Sequence, residues 1–184
     1  VAADSAYNSA WNVTCEDCAG VANGDAVEDD CGVCSGDGST CSGSISLGNF
    51  DPNGSFEVLY DFGGPVAGFS FEINGLTLTG ASGGAAATAG LASYVSGPKV
   101  LAYNLFNSEI PAGSGVLTNV SFSDVTDASS SLYLAFDDGF YGADEEALTM
   151  TASGSITHTT DCAGVYYGSS VVDDCGDCQQ SYCY

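Results

Sequence analysis

Cysteine is the residue type whose spacing in this sequence is best suited to chemistry. The chain has nine cysteines, in two groups near its two ends. The spacing Cys15-x2-Cys18-x12-Cys31-x2-Cys34 is typical of a zinc ribbon, in which thiolates bind one metal ion. The same cysteines fit disulfides, which small extracellular modules use in place of a large apolar core. Zinc and disulfides are therefore the two chemistries to be weighed.

The two cysteine groups are copies of one motif. "DCAGVANGDAVEDDCGVC" begins at Asp17, and "DCAGVYYGSSVVDDCGDC" begins at Asp161. The second copy contains a single CxxC pair, and His158 is the nearest substitute ligand, so this copy matches a zinc site poorly. We therefore predict disulfides, with Cys15 as the odd thiol. The cysteines predicted to form them are Cys18, Cys31, Cys34, Cys41, Cys162, Cys175, Cys178 and Cys183.

Acidic loop residues offer a second candidate chemistry, the binding of calcium by carboxylate oxygens. The stretch "DDGFYGADEE" at 137–146 has two glycines that permit the tight turns of a chelating loop. The other interpretation is a solvated acidic surface, because no cluster in the chain matches the EF-hand pattern. The predicted calcium ligands are Asp137, Asp138, Asp144 and Glu145. Calcium is the one cofactor considered, and no organic cofactor is expected.

The charge of the chain limits its partners. Among 184 residues, 24 are Asp or Glu and a single one, Lys99, is Lys or Arg, so the formal net charge is -23. This charge repels nucleic acid and anionic membrane surfaces. The apolar runs are much shorter than the roughly 18 residues that a membrane span needs, so membrane insertion is not expected. With one histidine and no HExxH motif, the chain is not predicted to be an enzyme.

Three sequons and the cysteine content predict a secreted or cell-surface glycoprotein. The predicted glycosylation sites are Asn12, Asn53 and Asn119. The sequence begins with Val1-Ala2-Ala3, which we interpret as the start of a processed chain or of a fragment.

The middle of the chain, residues 42–158, has the alternating pattern of β-strands. Phe56, Val58, Tyr60 and Phe62 should face inward, and further short alternating runs are separated by Gly, Ser, Asp and Asn. A later run predicts that Val116, Thr118, Val120 and Phe122 face inward, with Asn119 and Ser121 outside. Roughly nine strands in two packed antiparallel sheets account for these runs. The segment Gly80–Leu91 is predicted as a long loop or a short helix.

Two segments resemble known families. "DDCGVCSGDGSTC" at 29–41 is similar to segments of secreted ADAMTS-type metalloproteases, and the whole motif resembles repeats of large microbial surface proteins. This resemblance implies an extracellular spacer or assembly element. "VAGFSFEINGLTLTG" at 66–80 and "IPAGSGVLTNVSF" at 110–122 resemble the cohesin family. That resemblance implies a nine-stranded jelly-roll sandwich for protein–protein contact, with a dockerin as the family's partner.

Four segments are predicted: an N-terminal arm (1–14), a cysteine-rich module (15–41), a cohesin-like β-sandwich (42–158) and a second cysteine-rich module (159–184). The first arm has the only tryptophan, and we predict that Tyr7 and Trp11 contact another copy of the chain. The leading hypothesis is a structural subunit of an extracellular fibre, assembled head-to-tail through its terminal arms. The alternative is a cohesin-like module of a surface protein that binds another protein or a glycan.

Overall fold

The computed structural model of the protein describes residues 16–29, 31–104, 108–135, 139–142 and 147–180. Within these ranges the chain is dominated by β-strands and has one short α-helix. The strands are β1 (Ser42–Asp51), β2 (Ser55–Phe62), β3 (Gly68–Asn74), β4 (Leu76–Ser82), β5 (Ala92–Ser96), β6 (Lys99–Tyr103), β7 (Gly113–Val125), β8 (Ser129–Tyr133), β9 (Phe140–Tyr141), β10 (Thr149–Ser153), β11 (Ser155–Thr157), β12 (Val171–Val172) and β13 (Cys178–Gln179). The helix α1 is Gly84–Thr88, and a 3-10 turn covers Ser39–Cys41. No helix in these ranges has the length and apolar character needed to cross a membrane.

Two sheets pack face to face. One has the strand order β10-β1-β2-β7-β4, and the other has the order β11-β8-β3-β6-β5, with β9 also paired to β3. All pairs in the two sheets are antiparallel except β1 with β10, which run parallel. The predicted antiparallel β-sandwich with disulfide-rich arms is confirmed. The parallel β1–β10 pair is a feature that the alternating sequence pattern did not indicate.

The core lies between the two sheets and follows the predicted alternation of inward-facing residues. Phe56, Val58 and Phe62 of β2 are buried, as are Phe69, Phe71 and Ile73 of β3. Rings from both sheets meet in this layer, since the Phe69 ring lies 5.6 Å from that of Phe140 and Phe140 packs edge-on against Phe62. Burial of such large apolar side chains is the main stabilising contribution in a chain with so few ion pairs.

Strand β7 departs from the predicted alternation at one point. Val58 pairs with Thr118 and Leu59 pairs with Val116, so Leu117 is an extra residue and forms a β-bulge. Because of the bulge, the side chain of Leu117 is fully buried while that of Val116 is only partly buried. The prediction that Val116 faces inward was therefore wrong by one residue, since a bulge shifts the side-chain alternation.

The segment Gly80–Leu91, predicted as a long loop or a short helix, contains the end of β4 and then α1. The helix lies close against β7, and a Cβ added at Gly84 would lie only 2.5 Å from the carbonyl oxygen of Leu117. Gly84 also has a positive φ of 65°. Small residues are required here by close backbone approach, which explains the Gly- and Ala-rich composition.

The cysteine modules are built from one repeated turn. Asp17 Oδ1 accepts hydrogen bonds from the backbone N–H of Ala19 and Val21 at 3.1 and 2.8 Å, and Oδ2 accepts one from Ala26 at 3.1 Å. Gly20 completes the turn with a positive φ of 76°. The same turn, with its carboxylate bonded to later N–H groups, begins at Asp29, Asp161 and Asp173. Each module is therefore a pair of such turns, which is a shorter repeat than the one found in the sequence.

The turn carboxylates are fully used as hydrogen-bond acceptors. Backbone N–H groups that bond to the charged form hold the pKa of the Asp17, Asp29 and Asp161 carboxyls below its ordinary value. In three of the four turns, those that begin at Asp17, Asp29 and Asp161, the glycine seven residues later leaves room for this carboxylate. A Cβ at Gly24 or Gly168 would lie 1.9 or 2.1 Å from the oxygen of Asp17 or Asp161. The turn therefore requires glycine at this position, because the aspartate carboxylate occupies the space that a side chain would need.

Disulfides connect the turns within each module. Cys18 bonds to Cys34, Cys31 bonds to Cys41, and Cys162 bonds to Cys178. The prediction that the arms are disulfide-bonded is confirmed, and the zinc alternative is excluded for these six cysteines because their sulfurs are covalently paired.

Cys175 differs from its counterpart Cys31. Its thiol is free and exposed in the structure, although the sequence predicted a disulfide for it. Cys31 bonds to Cys41, and the cysteine that corresponds to Cys41 in the second module is Cys183, which lies outside the described residues, as does the odd cysteine Cys15. The pairing of Cys175 therefore stays a prediction.

Candidate functional site

The exposed large apolar side chains of the sandwich lie together on one surface. Among the described residues of the two sheets, those exposed by a third or more are Tyr94, Leu101, Tyr103 and Tyr141. All four project from the outer side of the six-stranded sheet, and we call this surface the aromatic face. The other exposed large apolar side chains in the described ranges belong to the cysteine modules.

Strand alternation places these four side chains outward. On β6 the buried Val100 and Ala102 point into the core, so Leu101 and Tyr103 point outward. Tyr94 of β5 lies opposite Leu101, and its ring stacks on that of Tyr103 with centroids 5.6 Å apart. The hydrogen bond with Tyr94, together with charge repulsion and burial, raises the pKa of the Tyr103 phenol. The stacked pair is a broad apolar surface with hydroxyl groups at its edge.

Because Gly68 has no side chain, nothing projects from the centre of the aromatic face at its position. Gly68 pairs with Tyr103 on β6 and with Tyr141 on β9, so it lies between two exposed tyrosines. A Cβ at this position would lie 3.7 Å from the Cβ of Tyr103. Beneath the face, the Phe69 ring stacks on that of Phe71 at 5.8 Å. The tyrosines therefore rest on a rigid aromatic layer.

The aromatic face is almost neutral, in contrast to the acidic chain. Glu72 is the only Asp or Glu on β3, β5, β6, β8, β9 and β11. Its Oε2 accepts a hydrogen bond of 2.6 Å from Tyr133 Oη, and its Oε1 lies 3.7 Å from Lys99 Nζ. Lys99 therefore forms an ion pair with a neighbouring strand. On the described strands of this face the charge is paired, so a partner that approaches these strands does not meet a bare carboxylate there.

A second feature joins the second cysteine module to the sandwich. His158 is buried, with its Nε2 at 2.7 Å from Ser130 Oγ and its Nδ1 at 2.7 Å from Tyr167 Oη. The ring of Phe50 lies 5.2 Å from that of His158 and 5.8 Å from that of Tyr167. Burial lowers the pKa of His158. From the sequence, His158 was considered only as a substitute zinc ligand, and this role was not indicated.

The structure describes some of the site residues that were predicted from the sequence, and others lie outside the described residues. The four predicted calcium ligands lie outside the described residues, and so do Asn12, Tyr7 and Trp11. Asn53 and Asn119 are both exposed, so the structure leaves room for a glycan at either. Within the ranges that the structure describes, no three His, Cys, Asp or Glu side chains are grouped as a metal site. Calcium and glycosylation therefore stay predictions.

The comparisons with known proteins find similarity of fold. No protein-family profile matches the sequence, and no curated protein matches it significantly. Among solved structures, the chain is similar to a non-cellulosomal cohesin from Archaeoglobus fulgidus, with 20% identity, 65% of this chain and 92% of that chain covered, and a TM-score of 0.46. It is also similar to a scaffoldin B cohesin from Acetivibrio cellulolyticus in complex with a dockerin, with 14% identity, coverage of 63% and 98%, and a TM-score of 0.46. A third similar structure is the cohesin of a type I cohesin–dockerin complex from Clostridium thermocellum. It has 16% identity, 63% of this chain and 98% of that chain are covered, and the TM-score is 0.45.

Proposed function

We propose that the chain is a protein-binding module of an extracellular assembly and that it binds its partner through the aromatic face. The observation that carries this proposal is the clustering of Tyr94, Leu101, Tyr103 and Tyr141 on one outer surface of an acidic sandwich. Exposed tyrosines in a contiguous patch are the residues that most often anchor protein interfaces. The three disulfides support an extracellular location, since such bonds persist in oxidising compartments.

The chemistry of the face indicates the kind of partner. Its centre is apolar, and the one carboxylate on its described strands is paired, so the contact should be made by burial of apolar area. The rest of the chain is strongly acidic, with a net charge of -23. A partner with an apolar contact centre and a neutral or basic rim avoids charge repulsion and associates faster.

The test compares an aromatic-face variant with a matched control on the other sheet. Extracellular proteins that bind the immobilised wild type are identified, purified and titrated by calorimetry. A hot-spot tyrosine contributes about 2 kcal/mol or more, so the variant Tyr94→Ser/Tyr103→Ser should lose at least about thirtyfold in affinity. Thr77→Ala/Thr79→Ala, on exposed positions of β4, should bind like wild type. Equal affinity of the Tyr94→Ser/Tyr103→Ser variant and wild type would refute the proposal. Competition by a neutral glycan would assign the face to glycan binding instead.

Self-assembly into a fibre is the second candidate function. Val21 and Val165 occupy the same position in the two cysteine modules and are 55% and 56% exposed. Matching apolar side chains on both modules would suit head-to-tail contacts between copies. The arm 1–14 that was predicted to make this contact lies outside the described residues, so the assembly test is argued at the level of the whole molecule below.

A further inference from the structure

A cleft of about 320 Å³ lies between the second cysteine module and the sandwich. We call it the junction cleft. The sandwich contributes the β1–β2 turn and the end of β7, and the module contributes its first turn. The residues that matter for its chemistry are Phe122, Ser123, Asp124, Val165, Tyr166 and Tyr167. It is separate from the aromatic face, which is formed by other strands.

The walls of the junction cleft are fixed relative to one another. Tyr167 bonds to the buried His158, and His158 bonds to Ser130 of β8, so the module turn is tied to the sandwich. The backbone of Tyr167 has a φ of 53°, a conformation that is rare for a bulky residue. The cleft is therefore preformed, and a ligand would not have to order it.

The tyrosines of the cleft are not needed to make the turn. In the equivalent turns of the first module, the positions of Tyr166 and Tyr167 are taken by Ala22 and Asn23 and by Cys34 and Ser35. Asn23 and Ser35 adopt the same left-handed conformation, with φ of 55° and 57°. Large rings at these positions occur only in the copy that borders the cleft. Tyr167 bonds to His158, and the half-buried Tyr166, whose ring meets that of His158 edge-on at 6.2 Å, adds a second ring to the lining of the cleft.

The charge of the cleft defines its ligand. Among the described residues that line it, Asp124 is the one that is charged, and Ser123 Oγ lies 2.8 Å from Asp124 Oδ2. The tyrosine rings, the apolar side chains of Val125 and Val165 and a carboxylate together suit a side chain with an aliphatic stem and a cationic end. A second copy of this chain is a poor source of such a group, because the chain has no arginine and its Lys99 pairs with Glu72.

From these observations we infer that the junction cleft binds an arginine or lysine side chain of a different protein. The inference stands apart from the aromatic face, because the cleft would give the same chain a second contact with charge specificity. Contact at the cleft would also fix the orientation in which the partner binds relative to the second cysteine module.

The experiment is an NMR titration of the full chain with N-acetyl-arginine methylamide, compared with the neutral citrulline analogue. The arginine compound should shift the amide signals of Gly164, Val165 and Asp124, and the citrulline compound should not. An exposed ion pair changes affinity by up to about fivefold, so Asp124→Asn should weaken binding by that factor. Raising the ionic strength from about 0.02 to 0.5 M should weaken it as well.

Two variants make the result specific. Asp61→Asn removes the same charge from the end of β2 that is farther from the cleft. This variant should bind like wild type. Tyr166→Ala should reduce the shifts while leaving the signals of β5 and β6 in place, which shows that the sandwich is folded. Equal shifts with the citrulline compound, equal loss in Asp61→Asn and Asp124→Asn, or no shift at the cleft would each overturn the inference. The Tyr94→Ser/Tyr103→Ser variant should bind the arginine compound normally, so failure at the aromatic face is distinguished from failure at the cleft.

Discussion

At the scale of single residues, the repeated turn depends on an aspartate and a glycine that occupy the same small space. The oxygen of Asp161 sits where a side chain at Gly168 would begin, 2.1 Å from the position of its Cβ. That oxygen is held by the N–H of Ser170, and the other oxygen is held by Ala163 and Val165. A residue larger than glycine would therefore have to displace a carboxylate that accepts three hydrogen bonds.

We predict that Gly168→Ala loosens the second cysteine module. The added methyl group would displace the Asp161 carboxylate from its N–H donors, so the module should open more often. The measurement is the rate at which dithiothreitol reduces the bond between Cys162 and Cys178, followed by mass spectrometry after alkylation. This rate should rise several-fold in the variant. Gly80→Ala is the control, since nothing lies within 4 Å of a Cβ there. An unchanged reduction rate in Gly168→Ala would contradict the role assigned to the glycine.

The sequence predicted the residues of this turn but not their relation to one another. Asp17, Gly20 and Gly24 were found to match Asp161, Gly164 and Gly168 in the second copy. The shorter repeat, from Asp17 to Asp29, was missed because the two turns share few letters. What they share is a backbone shape stabilised by one carboxylate, and such a shape tolerates many residues at its other positions.

At the scale of elements, the attachment of the second module to the sandwich rests on a buried histidine. Burial lowers the pKa of His158, so the folded chain binds fewer protons than the unfolded chain in the range between the lowered pKa and the ordinary one. The stability that this group contributes is therefore present above the unfolded pKa of about 6.5. It is lost as the pH falls through the range below that value.

We predict that wild type loses thermal stability between about pH 7.5 and pH 5 and that His158→Gln loses much less. His158 is the only histidine, so no other histidine contributes in this range. The turn aspartates have lowered pKa values and affect stability only at more acidic pH. Melting temperatures at several pH values would check this. Tyr167→Phe, which removes the hydroxyl bonded to Nδ1, should melt lower than wild type at pH 7.5. Parallel pH curves for wild type and His158→Gln would show that His158 does not control this junction.

Strand positions were predictable because alternation is a local property of the sequence. Phe56, Val58 and Phe62 faced the core as expected. The bulge at Leu117 was not predictable, since it arises from how β7 pairs with β2 and not from its own residues. The aromatic face was missed for a related reason. Leu101 and Tyr103 lie in the continuous apolar run 100–103, and such a run does not tell which side of the strand is covered.

At the scale of the whole molecule, charge and assembly are linked. Copies that each have a net charge of -23 repel one another, and the chain has one lysine and no arginine for salt bridges between copies. Contacts between copies would have to rely on apolar burial or on bridging cations. The exposed Val21 and Val165 provide apolar surface on both modules.

We predict that the arm 1–14 packs on another copy and that assembly depends on its aromatic residues. Burial of Tyr7 and Trp11 would contribute on the order of 2–3 kcal/mol each, so Trp11→Ala should weaken self-association by about thirtyfold or more. High salt or calcium should favour assembly, because both reduce repulsion between the acidic copies. Sedimentation velocity across protein concentrations, with calcium, with chelator and in high salt, measures the association directly, and electron microscopy shows whether the product is a fibre with a regular repeat.

Tyr94→Ser/Tyr103→Ser is the control variant for this experiment, because it changes the aromatic face and leaves the arm intact. If this variant lost assembly and Trp11→Ala retained it, the aromatic face and not the arm would be the contact between copies. A wild-type chain that stayed monomeric in calcium and in high salt would remove the fibre hypothesis. The aromatic face would then serve contact with a different protein, and it is suited to that contact because Glu72, the one carboxylate on the described strands of its sheet, is paired.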